Sequence, residues 1–238
     1  AVSGFRDGGV FVFRLKRLFL SFEIEIFMTA TLSRKKTLTL EDLVRQFGAV
    51  EFQNPLSRET FLAFAERYPD LPMERDKNGI TTIMSPVKKG SGKRESALNG
   101  FLFMWNYQSQ SGELYGPSSG FDLPDGAFRQ PDAAWISKDR LAKSKDADES
   151  FITVVPDFVA EIRSGSDRLK KLQTKMTDVW IANGVRLAWL IDPYEEKVYI
   201  YRPGREVEIV EGFAGKKLSG EDVLPGFELP LDEMRRGA

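Results

Sequence analysis

The stretch FVAEIRSGSDRLKKLQTKMTDVWIANGVRLAWLID, residues 158–192, decides the fold. Phe158, Ala160 and Ile162 alternate with Val159, Glu161 and Arg163, the two-residue period of a strand, which sets Glu161 and Arg163 on one face. A helix follows. Ser166 or Asp167 supplies its cap, Leu169, Leu172, Met176 and Val179 form its apolar stripe, and Asn183-Gly184 is its stop signal. A second apolar run from about Arg186 to Ile191 reads as another strand. Strand, helix and strand in this order make a crossover, which pairs the strands in parallel and is right-handed by strong preference. Asp192-Pro193 ends the second strand, and Val198 to Tyr201 reads as the return arm of an antiparallel hairpin. The expected fold class is therefore α/β (α+β), a mixed β-sheet flanked by helices.

Upstream, Glu113 to Ile136 is punctuated by Gly116-Pro117, Pro124-Asp125-Gly126 and Pro131, which predicts short strands joined by turns. Before it, Lys88 to Lys93 is rich in glycine, serine and lysine and reads as a loop. That loop enters an amphipathic helix from Arg94 to about Gln108 carrying Leu98, Phe101, Leu102 and Trp105. Asn78-Gly79 ahead of Ile80 to Met84 marks a hairpin. Ser57 starts a helix with Phe61, Phe64, Ala65 and Tyr68 at helical spacing, ended by Pro69 and Pro72. Thr39 can cap a shorter helix with Leu40, Leu43, Val44 and Phe47 on one face. Trp135, Trp180 and Trp189 each sit in an apolar pattern and read as core, and Ser144 to Ser150 reads as a surface loop.

The 238 residues suit one large domain, and a 42% apolar content can fill its core. Residues 52–238 are expected to form that domain, 28–51 an arm, and 1–27 an upstream or unstructured extension ahead of Met28. Within those first residues, Arg14, Lys16 and Arg17 break the apolar runs before they reach membrane-spanning length, so no transmembrane helix is expected. The chain has neither Cys nor His. Those two zeros exclude disulfides, thiolate catalysis, Ser-His triads and Cys/His zinc sites within this chain. Any metal must be held by oxygen, which favours magnesium or manganese. The lack of Cys fits a cytoplasmic location. A net charge of -1 gives no global field toward nucleic acid, so such a partner would need a local basic patch.

Two carboxylates carry the chemistry. Asp132 begins a strand after Pro131, and Glu161 lies inside an apolar strand. Buried carboxylates are costly unless paired, protonated or metal-bound, so two on neighbouring strands suggest one cation between them. Such a cation suits phosphodiester hydrolysis. Two residues after Glu161 stands Arg163, which can stabilise phosphate charge but cannot serve as a base. Lys175, flanking the helix stripe, is the better cationic candidate, and Gln173 on the other flank can orient water. Each has a plainer reading: Asp132 as a turn residue, Glu161 as the ion-pair partner of Arg163 or Lys175, and Lys175 as a solvated lysine.

The runs Gly120-Phe-Asp-Leu-Pro-Asp-Gly, Pro131-Asp-Ala-Ala-Trp-Ile, Pro156-Asp-Phe-Val-Ala-Glu-Ile-Arg-Ser, Leu172-Gln-Thr-Lys-Met and Gly184-Val-Arg-Leu-Ala-Trp-Leu-Ile-Asp-Pro together resemble the Uma-type restriction endonuclease family, a bacterial group of the PD-(D/E)XK superfamily. The similarity runs from about Phe52 to Leu231. It implies a restriction-endonuclease-like fold, magnesium, DNA as substrate and a homodimer. It places the acids at Asp132 and Glu161, both as metal ligands, and the displaced lysine at Lys175. Where relatives carry Asn or His near the start of the Arg94 helix, this chain has Glu95, either a further metal-facing acid or an ordinary helix-start acid favoured by the dipole. The other reading the residues leave open is a nuclease-fold protein that binds nucleic acid or a partner without cutting.

Overall fold

The computed structural model describes residues 49–237 together with Asp42 and Val44, and further upstream the backbone of three strands. Those strands, β1 (Val2–Asp7), β2 (Val10–Lys16) and β3 (Glu23–Met28), pair as an antiparallel meander. The helix expected from Thr39 lies outside the described residues apart from Asp42 and Val44. The chain divides into two compact units, Ala1–Pro86 and Val87–Ala238. Among the described residues no helix is long and apolar enough to cross a membrane.

In the first unit, strand β4 (Val50–Glu51) pairs with β6 (Thr81–Ile83), which also pairs with β5 (Met73–Arg75). Helix α1 (Arg58–Arg67) starts where expected, because the Ser57 hydroxyl accepts the Thr60 N–H at 3.1 Å. The β5–β6 hairpin turns at Asp76 to Gly79. One Asp76 carboxylate oxygen takes the N–H groups of Asn78 and Ile80, and Gly79 has φ of 91°.

The second unit is built on a six-stranded sheet. In chain order its strands are β7 (Gly112–Tyr115), β10 (Ala133–Ser137), β11 (Phe158–Ile162), β12 (Leu187–Asp192), β13 (Lys197–Tyr201) and β14 (Glu208–Glu211). Their spatial order is β14-β13-β12-β11-β10-β7. β11 and β12 are parallel, and the other neighbours are antiparallel. The crossover read from residues 158–192 is thus present. A short hairpin of β8 (Phe121–Asp122) and β9 (Phe128–Arg129) turns at Pro124-Asp125-Gly126, where the Ala127 N–H bonds the Asp125 side chain. Near the C-terminus β15 (Lys217–Ser219) pairs with β16 (Glu228–Pro230).

Every residue of β11 and β12 is buried, as expected for strands covered on both faces. One face packs on Leu98 and Leu102 of α2 (Lys89–Ser109) and on Phe213, Leu224, Phe227 and Leu229. The other packs on Phe121, Met176, Val179 and Trp180. Helix α2 begins earlier than the sequence suggests. Lys89 to Lys93, expected as a loop, form its first turn, where Gly and Ser cost least because the first N–H groups bond nothing in the helix.

The crossover helix also departs from expectation. Its α part, α4 (Leu169–Lys175), follows a one-turn α3 (Lys138–Leu141) in chain order and has Arg168 at its N-cap with no side-chain bond. Asp167 instead accepts the N–H of Ser164, closing the preceding turn. From Met176 to Ile181 the helix widens to a π turn, with the Ala182 N–H reaching the Thr177 carbonyl five residues back. Gly184, with φ of 100°, stops it. Asp157, 1% exposed, locks the entry to β11. It accepts the N–H of Ser137 and pairs with Arg140 at 3.0 Å and Arg186 at 3.3 Å, while Arg140 also donates to the Val155, Pro156 and Gly184 carbonyls.

Trp189 anchors the first core face, edge-on to Phe158 and stacked on Phe227, yet its indole N–H is buried without a hydrogen-bond partner. Trp189→Ala should cost about 3–5 kcal/mol. Trp189→Phe keeps a ring and removes the unpartnered donor, so it should cost under about 1.5 kcal/mol. The urea midpoints of the two variants check this ordering.

Candidate active site

The antiparallel register of β10 and β11 pairs Ala133 with Ala160, so the next step outward sets Asp132 opposite Glu161. A hydrogen bond fixes the arrangement, with the Ile162 N–H donating to Asp132 Oδ2 at 2.6 Å. Asp132 stands just before β10 because Pro131 cannot donate to the ladder, which leaves the strand to begin at Ala133. Glu161 is 6% exposed inside β11, on the face turned to the crossover helix. Glu161 Oε1 takes two donors from that helix, Lys175 Nζ at 2.7 Å and Trp180 Nε1 at 2.9 Å.

The π turn explains how both donors arrive. In an α-helix, residues five apart point some 140° away from each other. The wider turn between Lys175 and Trp180 brings them back toward one face, where Lys175 Nζ also lies 5.9 Å from the Trp180 ring centre. Sequence analysis read Trp180 as core, and its ring does pack edge-on against Phe121. Its role as a donor to Glu161 was not legible, because the i, i+5 relation belongs to neither helical nor strand periodicity.

Glu95, in the second turn of α2, completes the group. It is nearly buried, and burial raises its pKa, with Arg94 opposing. Asn99 ties this helix to the acids, its side-chain amide donating to the carbonyls of Glu95 and Asp132, each at 2.9 Å. Asn99 lies one turn beyond Glu95, and nothing in the sequence pattern singled it out. Arg163 turns elsewhere: its guanidinium pairs with buried Asp192 at 2.7 Å and covers the Tyr194 ring. Gln173 is half-buried in α4, where its carbonyl accepts the Thr177 hydroxyl. The structure therefore gathers Asp132, Glu161, Lys175 and Glu95, and turns Arg163 onto Asp192 at the end of the neighbouring strand β12.

The electrostatics follow from that gathering. The Asp132 carboxyl is held well above the usual carboxylate range, first by desolvation, then by the nearby Glu161 charge and, more weakly, by Glu95. The Ile162 N–H and Lys175 oppose the shift. Half-buried Asp132 thus feels the charges of nearly buried Glu161 and Glu95, with Lys175 paired to Glu161. Among the described residues, no three Asp or Glu side chains converge closely enough to hold a metal ion between them.

A central mixed sheet flanked by helices is a restriction-endonuclease-like architecture. The chain belongs to the Uma2 family, described as "Putative restriction endonuclease", which it matches over residues 58–232. Among solved structures it is similar to the crystal structure of a "putative nuclease belonging to DUF820" from Anabaena variabilis ATCC 29413. The TM-score is 0.62 and the identity 18%, covering 76% of this chain and 97% of that one. No curated protein matches.

The raised pKa sets a sign for stability. A carboxyl that binds its proton more tightly when folded stabilises the fold at acid pH, and that contribution is lost as pH rises through the folded pKa. Asp132→Asn keeps an acceptor for the Ile162 N–H and removes the charge. In EDTA near neutral pH it should be more stable than wild type by on the order of 1–3 kcal/mol, about 2–4 °C in melting temperature per kcal/mol. The gain should shrink toward zero in acid, where wild-type Asp132 is already protonated, and melting curves across pH measure it.

Proposed function

We propose that this chain is a magnesium-dependent endonuclease that hydrolyses DNA phosphodiester bonds, with manganese as a substitute ion. The observation that carries the reading is the meeting of Asp132, Glu161 and Lys175 at one point of the sheet. Asp132 and Glu161 would hold the ion. Their fit rests on the donor set: two hard carboxylate oxygens placed against each other, with the Asp132 carboxyl pushed up by the crowding of negative charge. Magnesium asks for few protein carboxylates and keeps several waters, so two acids suffice. When bound, it would lower the pKa of a coordinated water and offset charge gathering on the phosphate.

The chain's own residues set the geometry around that chemistry. The Ile162 N–H fixes one oxygen of Asp132, and Trp180 fixes one of Glu161. Lys175, an ammonium in its ion pair with Glu161, donates to the attacking water or to a phosphate oxygen rather than serving as the base. In the reaction a water oxygen bonds to phosphorus as it gives up a proton to solvent, the bond to one ester oxygen breaks, and that oxygen takes up a proton from solvent. Glu95 adds negative charge beside Asp132, Gln173 is an accessory candidate on the Lys175 helix, and Arg163 acts through Asp192 on the chain that follows β12.

One observation favours a second reading, a nuclease-fold protein that binds nucleic acid or a partner without cutting. Glu161 Oε1 is already committed to Lys175 and Trp180, and among the described residues no three acids converge on one point. Incubation of supercoiled plasmid and of single-stranded DNA with the full chain and magnesium or manganese separates the two. The expected result is metal-dependent cleavage that falls by about two orders of magnitude or more in Asp132→Ala and in Lys175→Met. Calorimetric ion binding should strengthen as pH rises beyond the ordinary carboxylate range, since ligands must be ionised and Asp132 releases its proton late. DNA binding in EDTA with no cleavage under either ion would establish the second reading instead.

A further inference from the structure

Arg94 is 6% exposed, and its Nε is buried without a hydrogen-bond partner. Among the described residues its guanidinium makes no ion pair. A nearly buried arginine in that condition is expensive. Its direction shows what it serves. Helical side chains lean toward the N-terminus, and Arg94 lies back along α2 so that its two terminal nitrogens come 3.5 and 3.6 Å from the place a side chain on Gly90 would begin. Gly90 is the second residue of α2, so the guanidinium lies over the first turn.

That turn offers donors without acceptors. The first bond within α2 is from the Gly92 N–H to the Lys88 carbonyl, so the N–H groups of Lys89, Gly90 and Ser91 precede it and bond nothing inside the helix. Lys88 at the N-cap supplies no side-chain oxygen, and the first turn holds no acid. The helix dipole adds partial positive charge at the same end. N–H groups with no bond inside the helix, a guanidinium whose Nε is unbonded, and Lys88 and Lys89 at the helix start together describe the lining of an anion site.

We infer that the first turn of α2 with Arg94 binds a phosphate group, and that this phosphate belongs to the backbone of the strand presented to Asp132 and Glu161. The second half rests on the proposed nuclease reading. Asn99, further along the same helix, donates to the carbonyls of both Glu95 and Asp132, so the helix whose first turn would hold the phosphate is itself fixed to the acids. The site would hold the strand without reading its sequence.

The test uses the full chain, a short fluorescent duplex in EDTA, inorganic phosphate as a separate probe, and the variant Arg94→Met. Arg94→Met should weaken duplex binding about tenfold and lower the slope of log affinity against log salt by about one. Inorganic phosphate should raise the melting temperature of wild type and leave that of the variant unchanged. Without ligand, Arg94→Met should melt above wild type, because an unpaired buried charge is gone. A merely structural arginine would give the opposite sign, and a lower melting temperature with unchanged duplex affinity overturns the inference. Gly90→Asp is a second arm: a carboxylate supplied within the chain should raise the melting temperature and abolish the phosphate effect. Phosphate stabilisation without duplex binding overturns the nucleic-acid half. Because binding is read in EDTA, a chain that shows these effects but never cleaves refutes the catalytic reading and supports this site. A chain that cleaves while Arg94→Met binds duplex as wild type does refutes this site alone.

Discussion

The structure turns on one antiparallel pairing, β10 against β11, which sets two carboxylates opposite each other where little water reaches them. Everything nearby answers the resulting excess of negative charge. The Ile162 N–H and the two donors on Glu161 relieve part of it. The remainder stays on Asp132 as a raised proton affinity. A fold that keeps such an excess gives up stability at this point of the sheet.

Holding that pairing in place is the work of residues outside it. The Asp157 lock joins the end of β10, the entry to β11 and the end of the crossover in one buried set of ion pairs. On the other side, Asn99 ties α2 to the backbone of Asp132. The acids therefore sit between two fixed supports, one at the sheet and one at the helix.

Much of this was legible in residues 158–192. The alternation of Phe158, Ala160 and Ile162 and the apolar run after Arg186 are strong periodic signals, and β11, the crossover and β12 follow from them. The α2 boundary was less legible, since Gly90, Ser91 and Gly92 have poor helix propensity and only position in a first turn makes them tolerable. Asp132 and Glu161 could be picked out because an acid in an apolar context is conspicuous. Asn99, Trp180 and Asp157 could not, because each acts through one directed bond, and a sequence records residue type but not where a side chain points. Arg163 illustrates the same limit in reverse: its spacing from Glu161 suggested a partner, while the buried Asp192 on the neighbouring strand gave it another.

The π turn has a consequence for comparing relatives. A turn closed by bonds five residues apart accommodates one residue more than an α-helical turn over the same path. A relative with a plain helix after its Lys would be one residue shorter there, and its alignment with this chain should open a single-residue gap between Lys175 and Asn183. Any search pattern with fixed spacing from the lysine to the following strand would then fall out of register at Val185, and the strand that pairs with β11 would be misread by one face.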